Sequence, residues 1–203
     1  MAKNYVSNSR ESPRMFKSNF LEPLSKVHYS VPLFIFLPVI GYFSWSALFP
    51  GNMSLLSFAA YYLGGLFIWS LTEYLMHRFV FHFTPKGKLM ERIHFIFHGV
   101  HHDYPNDAMR LVMPPSVSIP LATGFYFLFS LFFTELPLAA FFSGFITGYL
   151  FYDMTHYALH HANFKNEFWK KLKKHHMVHH YSDSKKGFGV SSNFWDKIFG
   201  SDY

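Results

Sequence analysis

Two long stretches of this chain contain neither lysine nor arginine, residues 31–76 and 117–152. Each stretch holds two apolar runs joined by a short turn. Residues 31–49, VPLFIFLPVIGYFSWSALF, carry no charge. As a helix, nineteen residues reach roughly 28 Å, close to one hydrocarbon core. Pro38 would kink a soluble helix but is tolerated in a membrane. Pro50-Gly51-Asn52 reads as a turn. Residues 53–72, MSLLSFAAYYLGGLFIWSLT, are again uncharged, and Gly64-Gly65 lets a neighbouring helix come close. Residues 116–134, SVSIPLATGFYFLFSLFFT, and 137–153 form the second pair, about the turn at Glu135-Leu136-Pro137. One such run fits the buried helix of a soluble protein. Four, in two close pairs, predict an all-α integral membrane protein with four transmembrane helices.

Charge then orients the bundle. All eighteen Lys and Arg fall in three stretches: five in 1–30, five in 78–110 and eight in 165–197. An even number of spans puts both termini on one side, and the positive-inside rule makes that side cytoplasmic. The expected layout is a cytoplasmic N-terminal segment, 1–30, and a membrane domain, 31–203. A cytoplasmic helical cap comprises 77–110 and 156–203. The membrane is expected to be a bacterial inner membrane, or the endoplasmic reticulum in a eukaryote. No signal peptide is read at the start. The net charge of +6 does not indicate a nucleic-acid partner, because it is confined to the cap and the N-terminal segment. The seven lysines of 165–186 fit either a face against anionic headgroups or a dock for an acidic partner.

Thirteen of the fourteen histidines lie in two blocks, 77–102 and 156–180, both in the expected cap. His28 stands apart and reads as a plain surface residue. His94, His98, His101 and His102 share one face of a helix, as do His156 with His160, and His176 with His179 and His180. His77 and His82 are five apart and diverge by about 140° on an ideal helix, so they require a local distortion or separate targets. Neutral imidazole ligates iron, zinc, copper and nickel. Nine or ten such histidines are too many for one ion and suit two. His101 and His179, from opposite halves of the chain, are expected to serve one centre. The absence of cysteine excludes thiolate zinc sites, disulfides and cysteine-ligated iron–sulfur clusters. A zinc hydrolase, a copper site and a non-haem di-iron oxygenase all remain open, and the aromatic-rich spans fit the oxygenase best. A storage or transport protein would carry ionisable residues at mid-membrane, which these runs lack.

The flanking residues carry a resemblance. Glu73-Tyr-Leu-Met-His77-Arg-Phe-Val-Phe-His82, His98-Gly-Val-His101-His102 and Arg110-Leu-Val-Met-Pro-Pro115 form its first half. Its second half is Tyr152-Asp153-Met-Thr-His156-Tyr-Ala-Leu-His160-His161, Lys173-Lys-His-His176-Met-Val-His179-His180-Tyr, and Gly187-Phe-Gly-Val running to Trp195-Asp-Lys-Ile-Phe-Gly200. Over roughly residues 65–200 the chain resembles the membrane fatty acid hydroxylase superfamily, and most closely its fatty acid 2-hydroxylases.

That resemblance implies O₂-dependent insertion of a hydroxyl next to the acyl carbonyl. It implies a dimetal centre of two iron ions, with zinc a possible replacement on purification. The implied ligands are His77, His82, His98, His101, His102, His156, His160, His176, His179 and His180. His94, His161 and His175 are left to orient those ligands, and Tyr152 and Asp153 to meet the acyl head as catalytic residues. The substrate would be a fatty acyl chain, free or in a ceramide-type lipid. A sterol or carotenoid hydroxylase or desaturase is the alternative within the superfamily. Eukaryotic relatives often carry a cytochrome b5 domain with a His-Pro-Gly-Gly motif. None is seen in this sequence, so electrons are expected from a separate cytochrome b5 or ferredoxin-type donor.

Overall fold

The computed structural model describes residues 6–203, and every regular element among them is a helix. A single turn, α1 (Leu21–Leu24), precedes α2 (Val31–Leu48) and α3 (Leu55–Leu75), and α3 continues as a π-helix over Met76–Phe81. Then come α4 (Lys88–His94), a second π-helical turn at Phe95–Gly99, and α5 (Val100–Asp103). α6 (Pro115–Ser130) and α7 (Glu135–His161) form the second long pair. α8 (Glu167–Tyr181) and α9 (Phe194–Ile198) complete the chain.

Local chemistry sets the boundaries. The Ser54 hydroxyl caps α3 by accepting the Ser57 N–H at 3.2 Å, and Asn166 caps α8 by accepting the Phe168 N–H at 2.8 Å. α2 and α6 each open with a proline in the first turn, where its missing donor costs nothing. The expected turn at Glu135-Leu136-Pro137 is instead the first turn of α7, since Pro137 lies where a helix accepts proline. α7 then runs 27 residues without interruption, through Tyr152 and Asp153 to His160 and His161.

α7 is the hub. It packs against α2, α3, α6 and α8, and it is buried on nearly every face from Leu138 to Tyr152. Phe141, Phe142, Phe145, Ile146 and Tyr149 meet Phe36 of α2, Trp69 of α3 and Phe129 of α6 in one aromatic core. The α3–α7 contact is close because it is backbone on backbone. A methyl group on Gly65 would strike the Phe141 carbonyl, and one on Gly144 would strike the Tyr62 carbonyl.

The outer surface is apolar as well. Phe34 is 79% exposed, Leu56 83% and Leu131 77%, and Trp45, Leu63, Phe67 and Phe127 are also exposed. Two helices are long and apolar enough to cross a membrane, Val31–Leu48 and Leu55–Phe81. α6, at 16 residues, is shorter than the nineteen-residue run expected there, because the chain leaves the helix at Ser130.

Gly144→Leu should lower stability by about 1–3 kcal/mol through overpacking. Gly41→Ala, with nothing within 4 Å of the added methyl, should be neutral or stabilising by up to about 1 kcal/mol. Thermal melts of the detergent-purified variants read both, and equal midpoints would contradict the close α3–α7 approach.

Candidate metal centre

The five-residue step from His77 to His82 is accommodated by winding Met76–Phe81 as a π-helix, with the His82 N–H donating to the His77 carbonyl at 3.1 Å. That i→i+5 register brings both rings to one face, a device common at functional sites. The second π-turn, Phe95–Gly99, changes the register after His94. The four-histidine stripe therefore does not persist: His94 is carried away and packs edge-on against Phe83. His98, His101 and His102 alone face the interior groups.

Ten histidines converge in two groups. His77, His82, His98, His102 and His179 form one; His101, His156, His160, His176 and His180 form the other. Within each, one ring nitrogen per residue lies within 4.8 Å of all the rest. These are the ten singled out from the sequence. His101 and His179 fall in different groups, contrary to the expected shared centre, because each crosses to the histidines of the opposite half. His101 joins ligand candidates from α7 and α8, while His179 joins those of residues 77–102. The groups abut through the His102 and His180 rings, stacked at 4.3 Å.

The separations fit cations. His77 Nε2 lies 3.0 Å from His98 Nε2, His82 Nε2 3.1 Å from His102 Nε2 and 2.9 Å from His179 Nε2, and His160 Nε2 2.9 Å from His176 Nε2. Two nitrogens bound at right angles to one ion, each at about 2.1 Å, stand about 3.0 Å apart. Hydrogen bonding cannot account for all these contacts. His77 Nδ1 donates to the Phe188 carbonyl at 2.5 Å and His179 Nδ1 to the Lys186 carbonyl at 2.6 Å. In a neutral ring, each of those donations leaves Nε2 a bare lone pair aimed at its neighbours. Both ring nitrogens of His101 and of His156 are buried without a hydrogen-bond partner among the described residues. A bound cation would relieve that cost.

Burial also holds these rings in the ligating form. It pulls His98, His101, His102, His176 and His180 well below the ordinary imidazole value, with neighbouring histidines adding to the effect. Burial, helped by His102 and His179, lowers His82 to about 2. Burial also lowers His179, to about 4, although its bond to Lys186 opposes the shift.

A second layer, to which the sequence reading assigned no role, holds the first. The Glu73 carboxylate, at the foot of α3, accepts the Val190 N–H at 2.8 Å and the Ser191 N–H at 2.7 Å. Asp196 accepts the Phe188 N–H at 2.9 Å and the Gly189 N–H at 2.7 Å. Together they fix the 186–191 loop whose carbonyls orient His77 and His179. The available signal was a lone carboxylate closing an uncharged run. His175 stands one step further out, 3.5 Å from Asp196. His161 packs against Tyr157, and His28 is exposed and pairs with Ser30.

A cavity of about 650 Å³ reaches both groups from one side, touching His98, His101 and His156. Its other walls are mainly apolar, among them Val80, Phe81, Phe97, Val112, Val117 and Leu121. Tyr152 and Asp153 also line it; Asp153 accepts the Tyr149 hydroxyl at 2.8 Å and faces the Met113 N–H at 3.3 Å.

Helical scaffold, paired histidine groups and apolar cavity together define a helical protein with a candidate histidine metal centre that could hold metal ions beside an apolar cavity. The chain belongs to the fatty acid hydroxylase family, whose model matches residues 62–201. It is 43% identical over 190 residues to the ceramide very long chain fatty acid hydroxylase scs7 of Schizosaccharomyces pombe, covering 91% of this chain and 53% of that protein. It is 38% identical over 197 residues to the dihydroceramide fatty acyl 2-hydroxylase FAH2 of Arabidopsis thaliana, covering 94% and 80%. A solved structure of scs7p, in which only the hydroxylase domain is visible, superposes with a TM-score of 0.86 at 41% identity, covering 91% of this chain and 70% of that one. The chain thus spans about half the length of the first of these relatives, at 53%.

Metal-free protein should be acid-sensitive. A histidine kept neutral by the fold binds a proton on unfolding once the pH is below about 6.5, so the unfolded state takes up more protons and stability falls as pH drops. The loss is about 1.4 kcal/mol per pH unit for each such residue. It continues until the folded values of about 4 for His179 and about 2 for His82 are passed. Melting chelator-treated protein at steps from neutral to mildly acidic pH should show a steep fall in midpoint; a flat profile would contradict the neutral, buried cluster.

Proposed function

We propose that this chain is an O₂-dependent fatty acid 2-hydroxylase, a membrane monooxygenase that hydroxylates a fatty acyl chain, free or in a ceramide-type lipid. The observation that carries the reading is an apolar cavity that opens onto both histidine groups. The ten histidines of those groups are assigned as ligands of two metal ions. Two irons bound there would supply oxygen activation and hydrogen abstraction, and zinc, which imidazole also accepts, would be an inactive replacement.

The protein's own work is placement. Apolar walls exclude water and hold the acyl chain, while Tyr152 and Asp153, beside His156, are assigned to the acyl head. The layout that supports this has four spans, about 31–49, 53–72, 116–134 and 137–153, with a cap of 77–110 and 156–203 and a segment 1–30 on the cytoplasmic side. Each exposed Leu or Phe on those helices contributes about 1.5–3 kcal/mol when hydrocarbon replaces water around it. With the metals at the membrane edge, an acyl chain keeps its polar head near that edge and presents a carbon close to the carboxyl end. Tail-first entry would bury the head at a cost of several kcal/mol. Electrons are assigned to a donor of the cytochrome b5 or ferredoxin type.

Cells expressing the protein under ¹⁸O₂ should release fatty acids labelled at carbon 2, and His176→Ala should abolish the label. His28→Ala should retain it. Label at the omega end, or a new double bond without hydroxyl, would assign the chain to another reaction of the superfamily. Elemental analysis after gentle purification should find close to two metal ions per chain; one or none would overturn the dinuclear assignment. Tags at each terminus should be reached only from the cytoplasmic side, and a C-terminus on the far side would overturn the four-span layout.

A further inference from the structure

The family match starts at residue 62, yet the segment before the first span is tied to the cap at many points. The Ser7 N–H donates to the Asp103 carbonyl at 2.8 Å, Ser12 to the Asp107 carboxylate at 2.5 Å, and the Val27 N–H to the Met109 carbonyl at 2.8 Å. Arg92 donates to the Met15 carbonyl, and Ser116 to the Leu24 carbonyl at 3.2 Å. At the centre is a buried clasp. Glu22 accepts the Met15 and Phe16 N–H groups at 2.9 and 2.8 Å with one oxygen, and Arg110 at 2.8 Å with the other. Arg110 also reaches Asp107 at 3.2 Å. A solvated leader into a membrane helix needs none of this.

The clasp has a consequence for the cavity. Arg110 lines it, and the strap that Arg110 holds contributes Met15, Phe16, Leu21 and Leu24 to the same wall. All four are apolar, a wall suited to a hydrocarbon occupant. We propose that residues 7–27 form the outer wall of the lipid cavity, and that Leu21 and Leu24 determine which acyl chains it accepts. This rests on the reading of the cavity as an acyl site. The turn α1 lends these two leucines to the lining, 44% and 45% exposed in the open cavity, while Phe20 beside them stays outside the lining, 76% exposed. A larger side chain at position 24 removes volume from the cavity, and a smaller one adds it. A pocket wall that changes by a few methylene groups changes preference on the order of tenfold.

The test feeds palmitic and lignoceric acids together to cells expressing the full chain, and reads the ratio of the two 2-hydroxy products. Leu24→Trp should shift the ratio toward the shorter acid on the order of tenfold, Leu24→Ala should shift it the other way, and Phe20→Ala should leave it unchanged. Product at the wild-type ratio from both Leu24 variants would overturn the proposal. If those variants do not accumulate, palmitates carrying a photoreactive diazirine at successive carbons are cross-linked to the unmodified protein. The tryptic peptide 18–26 should carry adducts, and adducts confined to other peptides would overturn the assignment. Absence of any 2-hydroxy product from the unmodified protein counts against the hydroxylase reading alone, because an adduct on 18–26 would still place the strap in a lipid site.

Discussion

Crowding of unprotonated imidazoles is the constraint on which the rest of this structure depends. Ten rings share a space with few other polar partners, and several of their nitrogens approach one another at about hydrogen-bonding distance, with the Nδ1 protons of His77 and His179 already given to backbone carbonyls. Such a cluster repels protons by burial and attracts a cation by its lone pairs. Its rings must also be held, because each would otherwise turn outward to water. The holding is done by the 186–191 loop, pinned between Glu73 at the end of α3 and Asp196 at the start of α9.

The site also joins the two halves of the chain. Residues 77–102 supply four members of one group but cede His101 to the other, and α8 returns His179. Neither half completes a group by itself. The exchange depends on α3 and α7 lying close enough to deliver their histidines together, which is why Gly65 and Gly144 meet opposing carbonyls with no side chain between them. Packing deep in the bundle therefore sets geometry at its edge, and α7 transmits it as one unbroken helix from the aromatic core to His156 and His160.

Much of the helical order was legible in the chain. Apolar runs marked α2, α3 and α6 within a few residues, and the continuation of the last run into His156 and His160 appeared as α7. The His77–His82 spacing announced a distortion before any geometry was known. The stripe including His94 was not correct, since a π-turn is a one-residue change in register that side-chain periodicity does not report. Glu73 and Asp196 passed without a role because their partners are backbone N–H groups more than a hundred residues away in one case and on a loop in the other.

By itself, the sequence determined which side chains could do chemistry: neutral imidazoles at helical spacing, no thiolates, and long uncharged runs to carry them. Those are matters of composition and local period, and local geometry follows directly from them. Only the tertiary structure decided how the ten imidazoles divide, which carbonyls fix their tautomers, and which wall closes the cavity. The physical reason is that each of these depends on contacts between segments far apart in the chain, such as His82 with His179 and Glu22 with Arg110. Nothing in either local stretch specifies such a contact until the bundle has packed.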